Sequence, residues 1–133
     1  MLNDQELMAF AATQRPGETL LFYRDALGLR FVADEPYALV FAAGPVTLRI
    51  QKVESHEPLP YTTLGWKVQD IAATVAALRD KGVSCERFPG MTQDELGVWA
   101  SPSGARVAWF KDPDGNLLSL TQSGPVALRM NAT

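Results

Sequence analysis

The stretch that most constrains the fold is a turn, Asp112-Pro-Asp-Gly-Asn116, set between two apolar runs. Pro113 fixes its own φ, and Gly115 supplies the positive φ that a tight reversal needs. The flanking runs, Val107–Phe110 and Leu117–Leu120, are almost uninterrupted in apolar residues, which is typical of strands in a covered sheet. The stretch therefore predicts a β-hairpin inside a sheet that is covered on at least one face.

Composition and charge narrow the class of protein. A chain of 133 residues with 47% hydrophobic and 20% charged residues is typical of a single soluble globular domain. The net charge of −3, without a lysine or arginine cluster, argues against binding to nucleic acid. No apolar run reaches the roughly 18 residues of a membrane span. The amino terminus lacks the basic-then-apolar order of a signal peptide, so we expect a cytoplasmic location.

The first half of the chain predicts one strand, one helix and three further strands. The helix begins at Pro16, a favourable first-turn residue, and ends near Leu27 before Gly28. The predicted strands are Leu7–Thr13, Leu29–Ala33, Tyr37–Ala42 and Val46–Val53. A polar, proline-containing stretch, 54–60, follows as a linker.

The second half repeats this plan. A strand at Tyr61–Val68 precedes a helix that Asp70 caps and Gly82 ends, and another strand is predicted at Val83–Phe88 before the hairpin. An insertion between Pro89 and Gly104 lengthens this half and suggests a lid over a pocket. We therefore predict an α+β fold in one domain, 1–133, with unit one at 6–53, the linker at 54–60, unit two at 61–122, the insertion at 89–104 and a tail at 123–133.

Several short motifs carry a resemblance to a known family. They are Phe22-Tyr23 and Gly28-Leu29 in the first half, and Gly65–Ile71 and Phe110–Asn116 in the second. Together with the tandem βαβββ plan, they resemble the vicinal oxygen chelate superfamily, which includes glyoxalase I, extradiol dioxygenases, fosfomycin-resistance enzymes and bleomycin-binding proteins. The resemblance implies curled mixed sheets around a cavity, helices on the outer face, and association into a homodimer.

Metal-dependent members of that superfamily carry a His or Glu ligand on the first and last strands of each unit. The matching positions here are occupied by Met8, Arg49, Leu64 and Ser119. None of these is a usual ligand for a divalent cation, and a guanidinium repels one. We therefore expect neither a metal nor another cofactor.

The same positions and their neighbours are the candidate ligand-binding residues. The set is Met8, Phe10, Arg49, Gln51, Leu64, Trp66, Trp99 and Ser119. Arg49 could hold a carboxylate, enolate or phosphate with two parallel hydrogen bonds, or it could instead pair with Glu6 across the sheet. The tryptophans could stack on a ligand or pack in the core.

Other polar groups favour structural roles. His56 lies between Glu54 and Glu57 in the linker, where a solvated loop offers poor preorganisation for catalysis. Asp112 and Asp114 are placed to cap the turn. No catalytic residue is identified on this basis.

Three functions remain open from the sequence. The first is a metal-free protein of the bleomycin-resistance kind that binds a small aromatic or anionic metabolite or antibiotic. The alternative is a lyase, isomerase or dioxygenase with an unconventional metal site or none. The third is a structural module without a ligand.

Overall fold

The protein is described by a computed structural model that covers residues 1–124 and divides into two compact units. Unit 1 comprises Met1–Pro60 together with Asp112–Asn116, and unit 2 comprises Tyr61–Lys111 together with the chain from Leu117 onward. Each unit contains one four-stranded mixed sheet, so the predicted α+β class with two tandem units is confirmed. The predicted tail from Pro125 onward lies outside the described residues.

Unit 1 follows the predicted order of elements. These are β1 (Met8–Thr13), α1 (Pro16–Leu21), β2 (Arg30–Asp34), β3 (Ala38–Ala43) and β4 (Val46–Lys52), with the strands ordered β1-β4-β3-β2. The helix α1 continues as a π-helical turn, Phe22–Ala26. A 3₁₀ turn, Leu2–Asp4, precedes β1. The edge strand β1 runs parallel to β4, and the other pairs are antiparallel.

The helical segment covers one face of the unit 1 sheet. Tyr23 is fully buried, and its ring centroid lies 5.7 Å from that of Phe41 in β3. Leu48 and Ile50 of β4 are also buried and share the side of Phe41, because side chains alternate along a strand. We call the opposite side, which carries Phe10 and its neighbours, the helix-free face of unit 1.

Unit 2 has the same plan with shorter strands. Its elements are β5 (Leu64–Lys67), α2 (Ile71–Asp80), β6 (Trp99–Ala100), β7 (Arg106–Lys111) and β8 (Leu117–Gln122), with the strands ordered β5-β8-β7-β6. The predicted hairpin is confirmed, because β7 and β8 pair antiparallel from Arg106↔Gln122 to Lys111↔Leu117. No helix within residues 1–124 has the length and apolar composition of a membrane span.

The predicted strand at Val83–Phe88 is wrong. This run is irregular, and it gives one backbone hydrogen bond to the sheet, from the Glu86 N–H to the Trp109 carbonyl at 2.7 Å. The side chain of Gln93 forms hydrogen bonds with two other backbone groups of this run. It donates to the Glu86 carbonyl and accepts from the Phe88 N–H, each at 2.9 Å. A side chain thus replaces the neighbouring strand as hydrogen-bond partner, and the short β6 pairs with β7 instead.

The predicted ends of α2 agree with the structure. Asp70 Oδ1 accepts the Ala73 N–H at 3.0 Å, and Gly82 follows the helix with a φ of +85°. The side-chain oxygen of Gln122 accepts the Ile71 N–H at 2.9 Å. The side of β8 that carries Gln122 therefore faces α2, and the opposite side is the helix-free face of unit 2.

The Asp112–Asn116 turn is held by a buried carboxylate. Asp112 Oδ1 accepts the N–H groups of Asp114 and Asn116 at 3.0 and 2.9 Å, and its Oδ2 accepts the Tyr23 hydroxyl at 2.6 Å and the Asn116 amide at 2.8 Å. Because Tyr23 is fully buried and Asp112 is 6% exposed, these bonds are shielded from water. The predicted capping role of Asp112 is confirmed, and the bond to Tyr23 adds a long-range contact.

Asp114 and His56 extend this cluster within unit 1. Asp114 accepts hydrogen bonds from the hydroxyls of the buried Thr13 and Thr19. His56 Nε2 lies 2.6 Å from Asn116 Oδ1. The Asn116 amide nitrogen already donates to two acceptors, so Asn116 Oδ1 is the acceptor and His56 carries a proton on Nε2. His56 does lie in a loop whose neighbouring residues are exposed, as predicted, but its own side chain is partly buried and bonded to the turn.

Burial and the negative charge of Asp112 both raise the pKa of Tyr23 above its ordinary value of about 10. The stability contributed by neutral Tyr23 is complete below pH 10 and decreases above it, because the unfolded chain ionises there while the folded chain does not. We expect the wild-type protein to lose about 1.4 kcal/mol per pH unit above pH 10 relative to Tyr23→Phe. Urea unfolding between pH 7 and 11 measures this difference.

The matched control is Tyr37→Phe, because Tyr37 is 81% exposed. Its unfolding free energy should follow that of the wild type at every pH. If the unfolding free energies of wild type and Tyr23→Phe fall equally steeply with pH above pH 10, burial does not raise the pKa of Tyr23.

Candidate functional site

Four predicted site residues share the helix-free face of unit 1. The register pairs Met8 with Thr47, Phe10 with Arg49, and Ala12 with Gln51. Met8 and Phe10, the first and third residues of β1, are 45% and 50% exposed and present large apolar side chains on this face. The structure therefore brings Met8, Phe10, Arg49 and Gln51 together beside accessible apolar surface.

Arg49 does not have a free charge on this face. Its Nη1 donates to Glu35 Oε1 at 2.9 Å, and the two side chains are 30% and 46% exposed. The pairing with Glu6 that the sequence left open is replaced by this pair with Glu35. A ligand anion would have to compete with the Glu35 carboxylate for the guanidinium.

The helix-free face of unit 2 combines aromatic and polar groups. Trp99 pairs with Val107, and Trp109 pairs with Ser119, so these side chains lie on one side of the sheet. The ring centroids of Trp99 and Trp109 are 6.1 Å apart, and Phe88 meets Trp109 edge-on at 5.5 Å. Trp99 and Ser119, both predicted site residues, thus flank an aromatic cluster.

Leu64 and Trp66 do not share this face with Ser119. The register pairs Leu64 with Leu118 and Trp66 with Leu120, whereas Ser119 is opposite Gly65. Because strand side chains alternate, a shift of one residue moves every side chain to the other face. The expectation that Leu64 and Trp66 share a face with Ser119 is therefore wrong. Gly65 and Lys67 occupy that face instead.

Gly65 leaves a notch beside the Ser119 hydroxyl. A Cβ at position 65 would lie 2.8 Å from Ser119 Oγ, closer than real Cβ contacts allow. Ser119 is 8% exposed, and its Oγ has no hydrogen-bond partner among residues 1–124. No fully buried side-chain oxygen or nitrogen of these residues lacks a partner, so Ser119 Oγ must be in contact with solvent. The hydroxyl is available to a ligand that enters the notch.

Sequence reasoning missed Lys67 as well as Gly65. Lys67 is exposed and pairs with Thr121, two positions along from Gly65 and on the same face. Within the described chain, its ammonium forms no ion pair. A cleft of about 530 Å³ opens beside it, lined by Lys67, Val68, Gln69, Gln122, Ser123 and Gly124. The alternation Gly65-Trp66-Lys67 indicates that Gly65 and Lys67 share one face of β5. Which face that is depends on how β5 pairs with β8.

A smaller cavity of about 190 Å³ lies elsewhere in unit 2, beside Cys85. Burial raises the pKa of the Cys85 thiol above its ordinary value. A raised pKa favours the neutral thiol over the nucleophilic thiolate. Cys85 is therefore better suited to packing than to nucleophilic attack.

The residues that the family resemblance places at metal-ligand positions lack the usual donor groups for a divalent cation. Met8 offers a thioether and Ser119 offers a hydroxyl. Arg49 carries a positive charge, and the nearby Glu35 carboxylate is already paired with it. Nickel, zinc, iron and manganese sites use imidazole, carboxylate or thiolate ligands. Among residues 1–124, no three His, Cys, Asp or Glu side chains lie close enough together to hold a metal ion.

A match to a family model identifies the family of the chain. Residues 7–120 match the model of the family described as Glyoxalase/Bleomycin resistance protein/Dioxygenase superfamily. A protein of Bacillus subtilis (strain 168), described as uncharacterized protein YraH, is 30% identical, with 74% of this chain and 83% of that protein covered.

Solved structures agree on the fold. The fosfomycin resistance protein FosX from Listeria monocytogenes superimposes with a TM-score of 0.72 at 14% identity, with all of both chains covered. TnmS3, an antibiotic-binding protein from Streptomyces sp. CB03234, superimposes with a TM-score of 0.69 at 23% identity, with 93% of this chain and 99% of that chain covered. At these identities the likeness concerns the fold alone.

Proposed function

We propose a ligand-binding function from the premise that the chain belongs to the Glyoxalase/Bleomycin resistance protein/Dioxygenase superfamily. The protein binds a small, partly aromatic molecule on the helix-free face of the unit 2 sheet, without a metal ion. The observation that carries this proposal is the Ser119 hydroxyl beside the notch at Gly65: the residue is 8% exposed, and its Oγ has no hydrogen-bond partner among the described residues.

A binding site for a small molecule needs apolar surface with a few well-placed polar groups. In unit 2, Trp99 and Trp109 supply flat aromatic surface, and Ser119 supplies a hydroxyl that can donate and accept. In unit 1, the half-exposed Phe10 beside Arg49 and Gln51 has the same mixed character. Ligand contact by the predicted residues of unit 1 remains a prediction.

The donors available on these faces favour binding over metal-assisted catalysis. A thioether, a paired guanidinium and a hydroxyl can hold an organic ligand but are poor ligands for a divalent cation. Structural neighbours include an antibiotic-binding protein and a fosfomycin resistance protein, and this proposal extends the first of these roles to the present chain. Turnover by a lyase, isomerase or dioxygenase mechanism is the rival hypothesis.

Association into a homodimer is part of the proposal. The edge strand β1 and the residue before it expose three large apolar side chains, those of Leu7, Met8 and Phe10. Surface of this kind supports either a ligand or a partner subunit.

A thermal-shift screen of chelator-treated, untagged protein tests the proposal. The panel contains aromatic acids, antibiotics and sugar phosphates. A ligand at 100 times its Kd stabilises the native state by about 2.7 kcal/mol, which raises the melting temperature by several degrees. We expect aromatic compounds to give this shift in the presence of EDTA.

Two glycine substitutions localise the effect. Gly65→Ala places a methyl group 2.8 Å from Ser119 Oγ, so it should fill the notch and reduce the shift caused by the ligand. Gly17→Ala, in the first turn of α1, meets nothing within 4 Å and should leave the shift unchanged. Equal shifts in both variants would exclude the notch, and stabilisation by no compound in the panel would count against the binding function.

A further inference from the structure

The charge on the two helix-free faces is distributed differently from what the sequence suggested. Arg49, the expected anion-binding residue, is paired with Glu35 at 2.9 Å. Lys67 is exposed and forms no ion pair with any residue of the described chain. An unpaired ammonium can take a ligand anion without first releasing a carboxylate of the protein.

The surroundings of Lys67 suit an anion that is attached to an aromatic ring. Lys67 lies on β5 and Trp109 on β7, with β8 between them. Strands in a sheet are about 4.8 Å apart, and Trp109 is level with Gly65, two residues along β5 from Lys67. The Cα atoms of Lys67 and Trp109 are therefore about 12 Å apart. The lysine side chain spans part of this distance, and the hydroxyls of Ser119 and Thr121 lie on the strand between.

The cleft beside Lys67 provides the space that such a group requires. Its volume is about 530 Å³, within the usual range of about 300–1,000 Å³ for small-molecule sites. Gln69 and Ser123 also line it and can donate hydrogen bonds to an oxyanion.

We propose that the ligand is a flat aromatic carboxylate whose anionic group is bound by Lys67 at the cleft and whose ring lies against Trp109. This inference rests on the proposed binding function and assigns its ligand class. Lys67 is the residue that sets the preference for an anion, and Ser119 lies between the two ends of the ligand.

The test uses 2-naphthoate and its neutral analogue 2-naphthamide, with binding followed by quenching of tryptophan fluorescence. Wild-type protein should bind naphthoate more tightly than naphthamide. Lys67→Met should weaken naphthoate binding about tenfold and leave naphthamide binding unchanged, because only the anion loses a charge-assisted hydrogen bond. Lys52→Met is the matched control, since Lys52 pairs with Asp34 in unit 1, and it should bind both probes as the wild type does.

The outcomes separate this inference from the function on which it rests. If both probes bind equally well to wild type and to Lys67→Met, aromatic binding stands and the role of Lys67 is wrong. If Arg49→Met rather than Lys67→Met removes the preference for naphthoate, the anion site belongs to Arg49. If neither probe binds to the wild type, the proposed ligand class fails here, and the thermal-shift screen decides separately whether the protein binds any other compound.

Discussion

Replacing Asp112 with alanine should lower the free energy of unfolding by about 3 kcal/mol or more. The substitution removes the acceptor of four hydrogen bonds and leaves the Tyr23 hydroxyl and the Asn116 amide buried without that partner. An unsatisfied buried donor costs about 1–3 kcal/mol, and relaxation of the turn recovers part of the sum. Urea unfolding at pH 7, followed by far-ultraviolet circular dichroism, measures the loss.

Asp4→Ala is the matched control for this experiment. Asp4 is an exposed carboxylate in the 3₁₀ turn before β1, and its removal should change the unfolding free energy by less than about 0.5 kcal/mol. A similarly small effect for Asp112→Ala would contradict the structural role assigned to the buried carboxylate.

Two phenylalanines on opposite faces of the unit 1 sheet should respond very differently to truncation. Phe41 is fully buried and contacts the rings of Tyr23 and Phe31, each with centroids 5.7 Å away. Phe41→Ala leaves a cavity between them and should cost about 3–5 kcal/mol of unfolding free energy. Chemical denaturation measures this cost.

Phe10→Ala provides the comparison. Phe10 is 50% exposed on the helix-free face, so its truncation should cost less than about 1 kcal/mol. Comparable losses for the two variants would mean that the helix-free face is part of the core and not a surface open to ligand.

The architecture could be predicted because its signals are local. The Asp-Pro-Asp-Gly-Asn turn, the cap at Asp70 and the glycine after each helix act within a few residues of where they stand. Repetition of the pattern in both halves then indicated two related units, and the strand order of both sheets agrees with it.

The register of β5 could not be predicted in the same way. Gly65 has no side chain to indicate its face, and Leu64 and Trp66 are apolar on a sheet that accepts apolar groups on both sides. Because neighbouring side chains point to opposite faces of a strand, the assignment of Leu64 to the site placed Gly65 and Lys67 on the other face. The pairing of Gly65 with Ser119 exists only in the assembled sheet.

Hydrogen bonds between distant segments were also outside the reach of sequence patterns. The bond from Tyr23 to Asp112 joins residues far apart in the chain, and no local preference of either residue encodes it. Val83–Phe88 has the composition of a strand, yet the Gln93 side chain satisfies part of its backbone from a neighbouring loop. In both cases tertiary contacts determine the outcome.

Metal-free binding is tested by calorimetric titration of one aromatic ligand into the same protein before and after removal of metals. The ligand is the strongest stabiliser found in the thermal-shift screen. Metal-free binding predicts the same Kd in EDTA, in untreated protein and after addition of Zn²⁺, Ni²⁺, Mn²⁺ or Fe²⁺, because the ligand contacts only groups of the protein. Binding that disappears with EDTA and returns with one of these ions would contradict it.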